Sequence, residues 1–518
     1  MIFQSVVLKW KKFVSTTKNI LKRIVVFFLI LLQLFSLTKT KAQDSADIRI
    51  FQPAEMQQDF NFLRNALEKT HPGLYMHHTK AEMQYKMDSL YSLLNQSKAF
   101  FDFYKIIACL IAEVKCEHTY CNPYSSDYRT RTIQWKLLPL QLYFSKGKAY
   151  IAVNRTADTS IHFGDEVLTI NHHPVDSIEH EIFKYLPADG NMEPSKEAAL
   201  SDLAFNLYYY MFIEQPTAYD IEFRNAGGLI STRYFDTDLK LSENNKLALH
   251  NSANKEVLAY AKKNEKLKEN PVRLEFIKKK STAIITVTEF GGNRKKLFKL
   301  YDNFFYEIQK QKPANLIIDF SYNSGGDEEY ACELLSYLVD TPTRFIEREY
   351  LINIDDSFIN ISNLPADIKS NKYAFIDTVK DGKIYAKPLT KYSLELKTFN
   401  PKPNGFHGNV FIYVNGETSS AASTFAANAK SHHLATIVGD ETAGCYVGGG
   451  STNGLDLTLP NSKINAHTSI VYCKFATTGG DKDRGVIPDY YFIPTLSQLV
   501  NGNTTWKDFI YDLISKRK

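Results

Sequence analysis

The C-terminal half of the chain alternates short apolar runs with helix-like stretches, and this pattern limits the fold more than any other feature. Four apolar runs have the length of a buried strand: 283–287, 315–319, 410–414 and 435–439. Helical spacing lies between them at 296–311 and 328–339, and another helix begins at Ala421. Strands that alternate with helices form sheets with parallel members. Residues 272–500 are therefore predicted to form one α/β domain, with a less regular excursion at 341–405.

The whole chain has 518 residues, which exceeds the roughly 250–300 residues that one hydrophobic core usually serves. Phe60, Leu63 and Leu67 recur at helical spacing in the N-terminal part, and runs such as Ala149–Val153 have the character of strands. We therefore predict an α/β (α+β) multidomain protein. Its parts are a helical domain at 43–134, a β module at 135–238, a helical linker at 239–271, the α/β domain at 272–500 and a C-terminal helix at 501–518.

The first 42 residues have the character of an export signal. Basic residues precede an uncharged run of about fourteen residues, Ile24–Leu37, whereas a membrane-spanning helix needs roughly twenty. Small residues at Thr40 and Ala42 predict cleavage after Ala42 and a periplasmic or secreted protein; an uncleaved signal anchor is the alternative. The leader holds eight Lys and Arg and no acidic residue, so its removal takes the net charge from +5 to −3. The mature chain then offers no electrostatic argument for nucleic acid as a partner, and no other segment is predicted to span a membrane.

Two strand ends carry the residues that suggest chemistry. One strand runs into Asn415–Ser423, where Ser420 stands at the start of a helix with free backbone N–H groups beside it. Such serines can also serve only as helix caps. The other strand ends in a polar turn with Gly325 and Gly326, and glycines let a backbone approach a substrate closely. A lone Gly-Gly is also common in a plain turn between a strand and a helix.

Together these segments resemble the tail-specific (C-terminal processing) serine peptidase superfamily. The resemblance lies in Asp319-x-x-x-Asn323-x-Gly325-Gly326 and Asn415…Thr418-x-Ser420-Ala421-Ala422, followed by 439–444 and 485–489. It implies a C-terminal domain of the ClpP/crotonase-like type and a serine endopeptidase with Ser420 as the nucleophile. It also implies that backbone amides of Ala421, Gly325 and Gly326 form the oxyanion hole.

Residues 161–186 resemble part of a PDZ domain, because a Gly-Asp turn leads into a strand, a turn at Asn171 and then a helix. Such modules usually capture an extended peptide at a sheet edge. A helical insertion at 190–215 departs from that pattern. We therefore describe 135–238 as a PDZ-like β module with a helical insertion, without assigning peptide binding to it.

The residue at the position of the general base differs from that in the best-known branch of the superfamily. That branch has a lysine twenty-five positions after the nucleophile, where this chain has Cys445, and a thiol does not readily replace a desolvated amine. The tricorn-like branch uses a histidine, and Glu117-His118-Thr119 is similar to its Gly-His-Thr turn. His118 is accordingly the predicted base, because imidazole titrates near neutral pH. A histidine that only packs a domain interface is the alternative.

The acid that would orient His118 is expected in the segment where the tricorn-like branch places it, which makes Asp483 or Asp481 the candidate. Either can instead be a solvated turn residue. The absence of the lysine leaves a second function open, that of a catalytically inactive periplasmic binding protein on the same fold, similar to the retinoid-binding members. A hydrolase of small exported esters or amides is a third.

The remaining reactive side chains suggest no cofactor. Six cysteines are too few for a disulfide scaffold, although Cys116 with Cys121, and Cys445 with Cys473, can pair in an exported protein. His172 and His173 have no acidic or cysteine partner at ligand spacing, so no metal site is expected. The predicted partner is a protein or peptide substrate, and the sequence does not determine an oligomeric state.

Overall fold

The computed structural model describes residues 49–123, 135–201, 204–236, 241–268, 270–388, 394–500 and 504–516. Residues from Ile50 onward form one compact unit. The predicted leader lies outside the described residues. Among the described helices, none combines the length and apolar character needed to cross a bilayer.

The N-terminal part is helical, as the spacing of its apolar residues predicts. It contains strand β1 (Ile50–Phe51), helices α1 (Pro53–Thr70) and α2 (Lys80–Ser92), strand β2 (Lys98–Ala99), helix α3 (Phe100–Glu113) and strand β3 (Tyr120–Asn122). Helix α1 begins with a proline, whose fixed φ suits the first helical position, and buries Phe60, Leu63 and Leu67. Helix α2 is capped by the Thr79 side chain, which accepts a hydrogen bond from Glu82 N at 3.2 Å.

The second part is an antiparallel sheet with a helical insertion. Its strands are β4 (Leu140–Ser145), β5 (Lys148–Asn154), β6 (Glu166–Ile170), β7 (His173–Pro174), β8 (Ala218–Arg224) and β9 (Ile230–Asp236), in the order β4-β5-β6-β8-β9 with β7 beside β6. Its helices are α4 (Val175–Phe183), α5 (Glu193–Ala199) and α6 (Ala204–Tyr208), and a π turn at Tyr209–Ile213 continues α6. Asn206 Nδ2 donates to the carbonyls of Leu138 and Leu140 at 2.7 and 2.9 Å. The insertion therefore occupies backbone acceptors at the β4 edge that a captured peptide would need.

Two helices, α7 (Leu241–His250) and α8 (Lys255–Lys268), follow at the predicted linker and lead into the C-terminal part. The strands there are β10 (Val272–Ile277), β11 (Thr282–Val287), β12 (Asn315–Asp319), β13 (Thr343–Arg344), β14 (Ile346–Leu351), β15 (Ile376–Lys380), β16 (Lys383–Ala386), β17 (Thr398–Phe399), β18 (Asn409–Val414), β19 (Thr436–Gly439), β20 (Gly448–Gly450), β21 (Gly454–Thr458), β22 (Asn465–Ser469), β23 (Tyr472–Phe475) and β24 (Tyr490–Tyr491). The helices are α9 (Arg294–Gln311), α10 (Glu328–Leu335), α11 (Asp356–Ile359), α12 (Ala366–Ser370), α13 (Ser420–Ser431), α14 (Leu496–Val500) and α15 (Thr504–Lys516).

The central sheet has the order β10-β11-β12-β18-β19-β24, and its members from β11 onward run parallel. Every residue of β11 and β12 is buried, as expected for strands covered on both faces. The C-terminal helix α15 contributes Trp506 and Ile510 to the core beside Ile317 and Phe411. These elements confirm the predicted α/β multidomain fold class.

The excursion after α10 supplies a second sheet that faces the site. Its order is β15-β16-β14-β23-β20, so strands from the excursion pair with strands that follow β19. A third sheet, β21-β22-β3, ties the N-terminal part to the C-terminal part, with Cys121 opposite Ala466. The pairing of β3 carries the residues just before it, including His118, to the same edge of the molecule.

Candidate active site

The site lies where the parallel strands β12 and β18 end side by side. Each strand leads through a polar turn into a helix, α10 after β12 and α13 after β18. Hydrogen bonds join the two turns: Ser419 N donates to Asn323 O at 3.2 Å, and Thr418 Oγ1 donates to Phe320 O at 3.0 Å. The structure thus brings together the two turns that the sequence singled out.

Ser420 is the first residue of α13, and its backbone has φ +48°. A left-handed conformation is uncommon outside glycine, and such residues cluster at functional sites because the surrounding structure must hold them there. Gly325, with φ +105°, packs directly against this serine, and a Cβ on Gly325 would lie 2.5 Å from the Ser420 Cβ. The close packing of the two turns therefore requires a glycine at position 325.

The backbone N–H groups of Gly325, Gly326 and Ala421 were expected to form an oxyanion hole, but only two of the three are free to donate a hydrogen bond. The Gly325 N–H donates to Asn323 Oδ1 at 2.9 Å, which removes it from the set of available donors. Within the described residues no partner is present for the N–H groups of Gly326 and Ala421, and Ala421 lies in the first helical turn, where N–H groups have no intrahelical acceptor. Two donors therefore remain beside Ser420.

A cavity of about 500 Å³ opens in front of Ser420. Its wall includes Ser420, His118, Glu117 and Gly326, so residues from the N-terminal part and from the C-terminal sheet border one space. The edge strand β20 also lines it. The Ser420 side chain is half-buried, which leaves its hydroxyl accessible from this cavity.

His118 reaches the cavity because the strand that follows it is fixed to the C-terminal part. Thr119 Oγ1 accepts a hydrogen bond from Ser469 N at 3.2 Å. The His118 side chain is 15% exposed, and its buried Nδ1 atom lacks a hydrogen-bond partner in the described part of the chain. Glu117 Oε1 lies 3.7 Å from that nitrogen. His118 and Ser420 share a cavity, but no hydrogen bond joins them within the described residues.

Two acidic residues that sequence reasoning did not select lie beside His118. Glu117 accepts a short hydrogen bond from Ser419 Oγ, and its backbone N donates to Asp189 Oδ1 at 2.8 Å. Asp189 is buried, and it also accepts a hydrogen bond from the Cys445 backbone. Burial, and then the Glu117 charge, raise the pKa of Asp189 well above its ordinary value. Asp189 therefore connects the loop of His118 to the loop that follows β19.

Asp483 and Asp481, the predicted orienting acids, are not brought to His118. Asp483 Oδ1 lies 2.6 Å from His77 Nδ1, so the imidazole that contacts Asp483 is that of His77. Asp481 Oδ1 accepts a hydrogen bond from Asp483 N at 2.9 Å and is otherwise exposed. The sequence gave no indication that His77 would contact the Asp483 carboxylate.

Cys445, which stands at the position of the lysine in the other branch, is a buried thiol. It is 2% exposed, its Sγ donates to Lys482 O at 3.3 Å, and burial raises its pKa well above the ordinary value. A thiol that stays protonated cannot accept a proton from serine. All six cysteines are free in the structure, including both suggested pairs. The His172 side chain is 88% exposed, and its Nε2 lies 4.0 Å from Asp220 Oδ2.

A group of carboxylates lines the part of the cavity that faces β14 and α10. Burial and neighbouring carboxylates raise the pKa of Glu328 well above its ordinary value and that of Glu395 to about 8. Ligand atoms of Glu328, Glu349 and Cys473 lie within 4.8 Å of one another. The acidic run Asp327-Glu328-Glu329, directly after the Gly-Gly turn, was the signal in the sequence that could have revealed part of this group.

Comparisons with known proteins show what this chain is similar to. Residues 281–492 match the model of peptidase family S41. The structure of mature CPAF is similar, with 15% identity, coverage of 90% of this chain and 97% of that chain, and a TM-score of 0.58. The structure of mature CPAF complexed with lactacystin is 14% identical, with coverage of 90% of this chain and 98% of that chain and a TM-score of 0.57. The photosystem II D1 C-terminal processing protease is 13% identical, with coverage of 86% of this chain and 96% of that chain and a TM-score of 0.38. Among curated proteins, none matches the chain.

Proposed function

We propose that the chain is an exported serine endopeptidase that acts through Ser420, and the match of residues 281–492 to the model of peptidase family S41 supports this proposal. The single observation that carries this proposal is the cavity in front of Ser420, whose wall also includes His118 and Gly326. The predicted leader, with cleavage after Ala42, accounts for export.

In the proposed reaction, the Ser420 hydroxyl oxygen attacks the carbonyl carbon of a peptide bond while His118 takes the hydroxyl proton. The N–H groups of Ala421 and Gly326 stabilise the negative charge that develops on the carbonyl oxygen. The carbon–nitrogen bond then breaks, His118 returns the proton to the leaving amine, and an acyl-enzyme remains on Ser420. Water activated by the same imidazole hydrolyses this ester, which restores the serine and releases the new carboxyl terminus.

Glu117 is the acid that we assign to the orientation of His118. Its Oε1 lies 3.7 Å from His118 Nδ1, which is beyond hydrogen-bond distance. Catalytic hydrogen bonds are often long in ligand-free enzymes and shorten when substrate binds. The buried Nδ1 atom needs an acceptor if it carries a proton, and a small rotation of the Glu117 side chain supplies one.

A peptide is favoured over a small ester because an unpaired strand edge borders the cavity. Strand β20 pairs only with β23 among the described strands, and Gly449 and Gly450 line the cavity. An extended peptide can add to such an edge through backbone hydrogen bonds. A small ester has no backbone to use this edge.

The test is covalent labelling of the mature protein with a fluorophosphonate probe. We expect labelling of the wild type and of Ser431→Ala, a serine at the far end of the same helix, and no labelling of Ser420→Ala. Removal of the leader is checked by N-terminal sequencing of the exported protein, which should begin at Gln43. Folded wild-type protein that resists the probe and cleaves no casein would support the inactive binding protein instead. Turnover of p-nitrophenyl esters without casein cleavage would support the small-substrate hydrolase.

A further inference from the structure

The segment 189–191, which we call the junction segment, lies between helices α4 and α5 of the β module and contacts the loop of the proposed base. Glu117 N donates to Asp189 Oδ1 at 2.8 Å, and Gly190 N donates to Lys115 O at 3.2 Å. Both bonds hold the backbone of the loop directly before the residue that bears the imidazole. This stretch of backbone is therefore fixed by residues from a different part of the protein.

The junction segment is also fixed to the C-terminal part of the protein. Asn191 N donates to Asp483 O at 2.9 Å, and Asp189 accepts a hydrogen bond from the Cys445 backbone. Gly190 has φ +58°, and a Cβ at this position would lie 2.5 Å from Asp483 O. The segment therefore packs against the C-terminal part so closely that position 190 requires a glycine.

Asp189 is the residue of the junction segment that borders the Ser420 cavity. It is 5% exposed, and a carboxyl group at such depth needs hydrogen-bond donors, which the backbone of Glu117 and Cys445 supplies. A Cβ on Gly449 would lie 3.2 Å from Asp189 Oδ2, so the same carboxyl group lies beside the β20 edge. One side chain therefore fixes the loop of the base relative to the strand proposed to bind the peptide.

The position of the imidazole depends on anchors at the residues on both sides of it. Within the described residues, no hydrogen bond reaches the His118 side chain, and its buried Nδ1 atom has no partner. On one side, Thr119 Oγ1 accepts a hydrogen bond from Ser469 N at 3.2 Å. On the other side, Asp189 accepts the bond from Glu117 N. The Asp189 anchor therefore places both the imidazole and Glu117, the acid assigned to orient it.

We propose that Asp189 is a positioning residue for the reaction at Ser420, because it holds the backbone of Glu117 and His118 so that the imidazole faces the nucleophile. This inference rests on the proposed function, since it requires that His118 is the base. Asp189 takes no proton in the reaction and forms no bond with the substrate. The β module thus contributes to the site through one side chain, although no peptide binding is assigned to the module itself.

The test compares Asp189→Ala with Asp189→Asn in the mature protein. Alanine removes the acceptor of the Glu117 N–H group, whereas asparagine places an amide oxygen at the same position. We expect the rate of fluorophosphonate labelling, and kcat for internally quenched casein peptides, to fall about 10²-fold in Asp189→Ala, the effect of displacing a catalytic group by about 1 Å. Asp189→Asn should stay within about threefold of the wild type, and KM should change less than about threefold in both variants, because β20 is unaltered.

Asp59→Ala is the matched control for a purely structural role. Asp59 is also a buried aspartate that ties the N-terminal part to the C-terminal part, and its carboxylate accepts hydrogen bonds from Asn461 N at 2.8 Å and Ser462 N at 2.7 Å. These three residues do not line the Ser420 cavity. Both alanine variants leave buried N–H groups without an acceptor, so both should unfold at a lower urea concentration. Only Asp189→Ala should lose labelling rate while still folded.

A second pair of variants decides the matter if Asp189→Ala does not fold. Gly190→Ala keeps the carboxyl group but forces the junction segment away from Asp483 O, and it should slow labelling by at least about tenfold. Gly228→Ala is its control, because Gly228 has φ +82° and its added Cβ would meet no atom within 4 Å. Labelling at the wild-type rate in folded Asp189→Ala or Gly190→Ala overturns the positioning role. An equal loss in Asp59→Ala, or no rescue by Asp189→Asn, also overturns it.

Failure of the proposed function gives a different result, namely a folded wild type that is neither labelled nor active on casein. In that case the position of the imidazole is measured directly, by NMR of protein that carries ¹³Cε1-labelled histidine. The His118 signal is identified by its loss in His118→Ala. It should shift in Asp189→Ala and keep its wild-type position in Asp59→Ala and Asp189→Asn. An unshifted His118 signal in Asp189→Ala overturns the positioning role on its own.

Discussion

Replacing Gly325 with alanine should disable the site while leaving the protein folded. The added Cβ would lie 2.5 Å from the Ser420 Cβ and 3.0 Å from Ser419 O, whereas ordinary van der Waals contact begins at 3.4 Å. To restore that separation, the two carbons must move apart by about 0.9 Å, the difference between 3.4 and 2.5 Å. A misplacement of about 1 Å in a catalytic group can cost about 10²-fold in rate.

The cost to stability follows from two effects at the same residue. Gly325 has φ +105°, and holding alanine in such a conformation costs on the order of 1–3 kcal/mol. Overpacking adds about 1–3 kcal/mol. The total of about 2–6 kcal/mol is less than the stability of most native proteins, about 5–15 kcal/mol. The variant is therefore expected to fold, with a lower urea midpoint.

The assay compares fluorophosphonate labelling rates and urea unfolding for Gly325→Ala and for Gly291→Ala. Gly291 has no left-handed φ, and its added Cβ would meet only Glu289 side-chain atoms at 3.5 Å or more, so it serves as the matched control. We expect labelling of Ser420 to slow about 10²-fold in Gly325→Ala and to change less than about threefold in Gly291→Ala. Wild-type labelling and an unchanged midpoint in Gly325→Ala would refute the argument that the two turns require a glycine here.

Two further predictions concern the proposed base and a buried histidine. His118→Ala should lose probe labelling while Cys445→Ala keeps it, because the buried thiol of Cys445 stays protonated; full activity of His118→Ala would contradict the assignment of the base. Burial lowers the pKa of His71 to about 3, so between about pH 3 and 6.5 the unfolded chain binds a proton that the folded chain does not. Stability measured by urea unfolding should therefore fall by about 1.4 kcal/mol for each unit of acidification in that window from this residue alone, and a His71→Gln variant with the same slope would refute this.

Much of the fold could be predicted because its signals are local. Buried strands such as β12 and β18 are continuous apolar runs, and both end at polar turns that were visible in the sequence. Their parallel arrangement follows from the helices between them. The excursion at 341–405 was less regular in sequence, because its strands β14 and β16 are short and pair with β23, far along the chain. Strands that pair with a partner so distant in the sequence leave little pattern in the residues next to them.

The candidate site was predicted only in part, for the same reason. Ser420 and the Gly-Gly turn are local features, and they were found. The partner of Asp483 is His77, 406 positions earlier, and no spacing rule connects the two. The loss of Gly325 as an oxyanion donor depends on the orientation of one side chain, Asn323.

The amino-acid order alone predicted the succession of strands and helices and the position of Ser420 at the turn between a strand and a helix, because backbone sterics and the periodicity of apolar residues act over a few residues. Only the tertiary structure decided which imidazole shares a cavity with that hydroxyl. It also decided that Glu328, Glu349 and Glu395, which lie on three separate elements, border one space. Electrostatic and packing partners depend on distance in space, and residues distant along the chain become neighbours only when the sheets form.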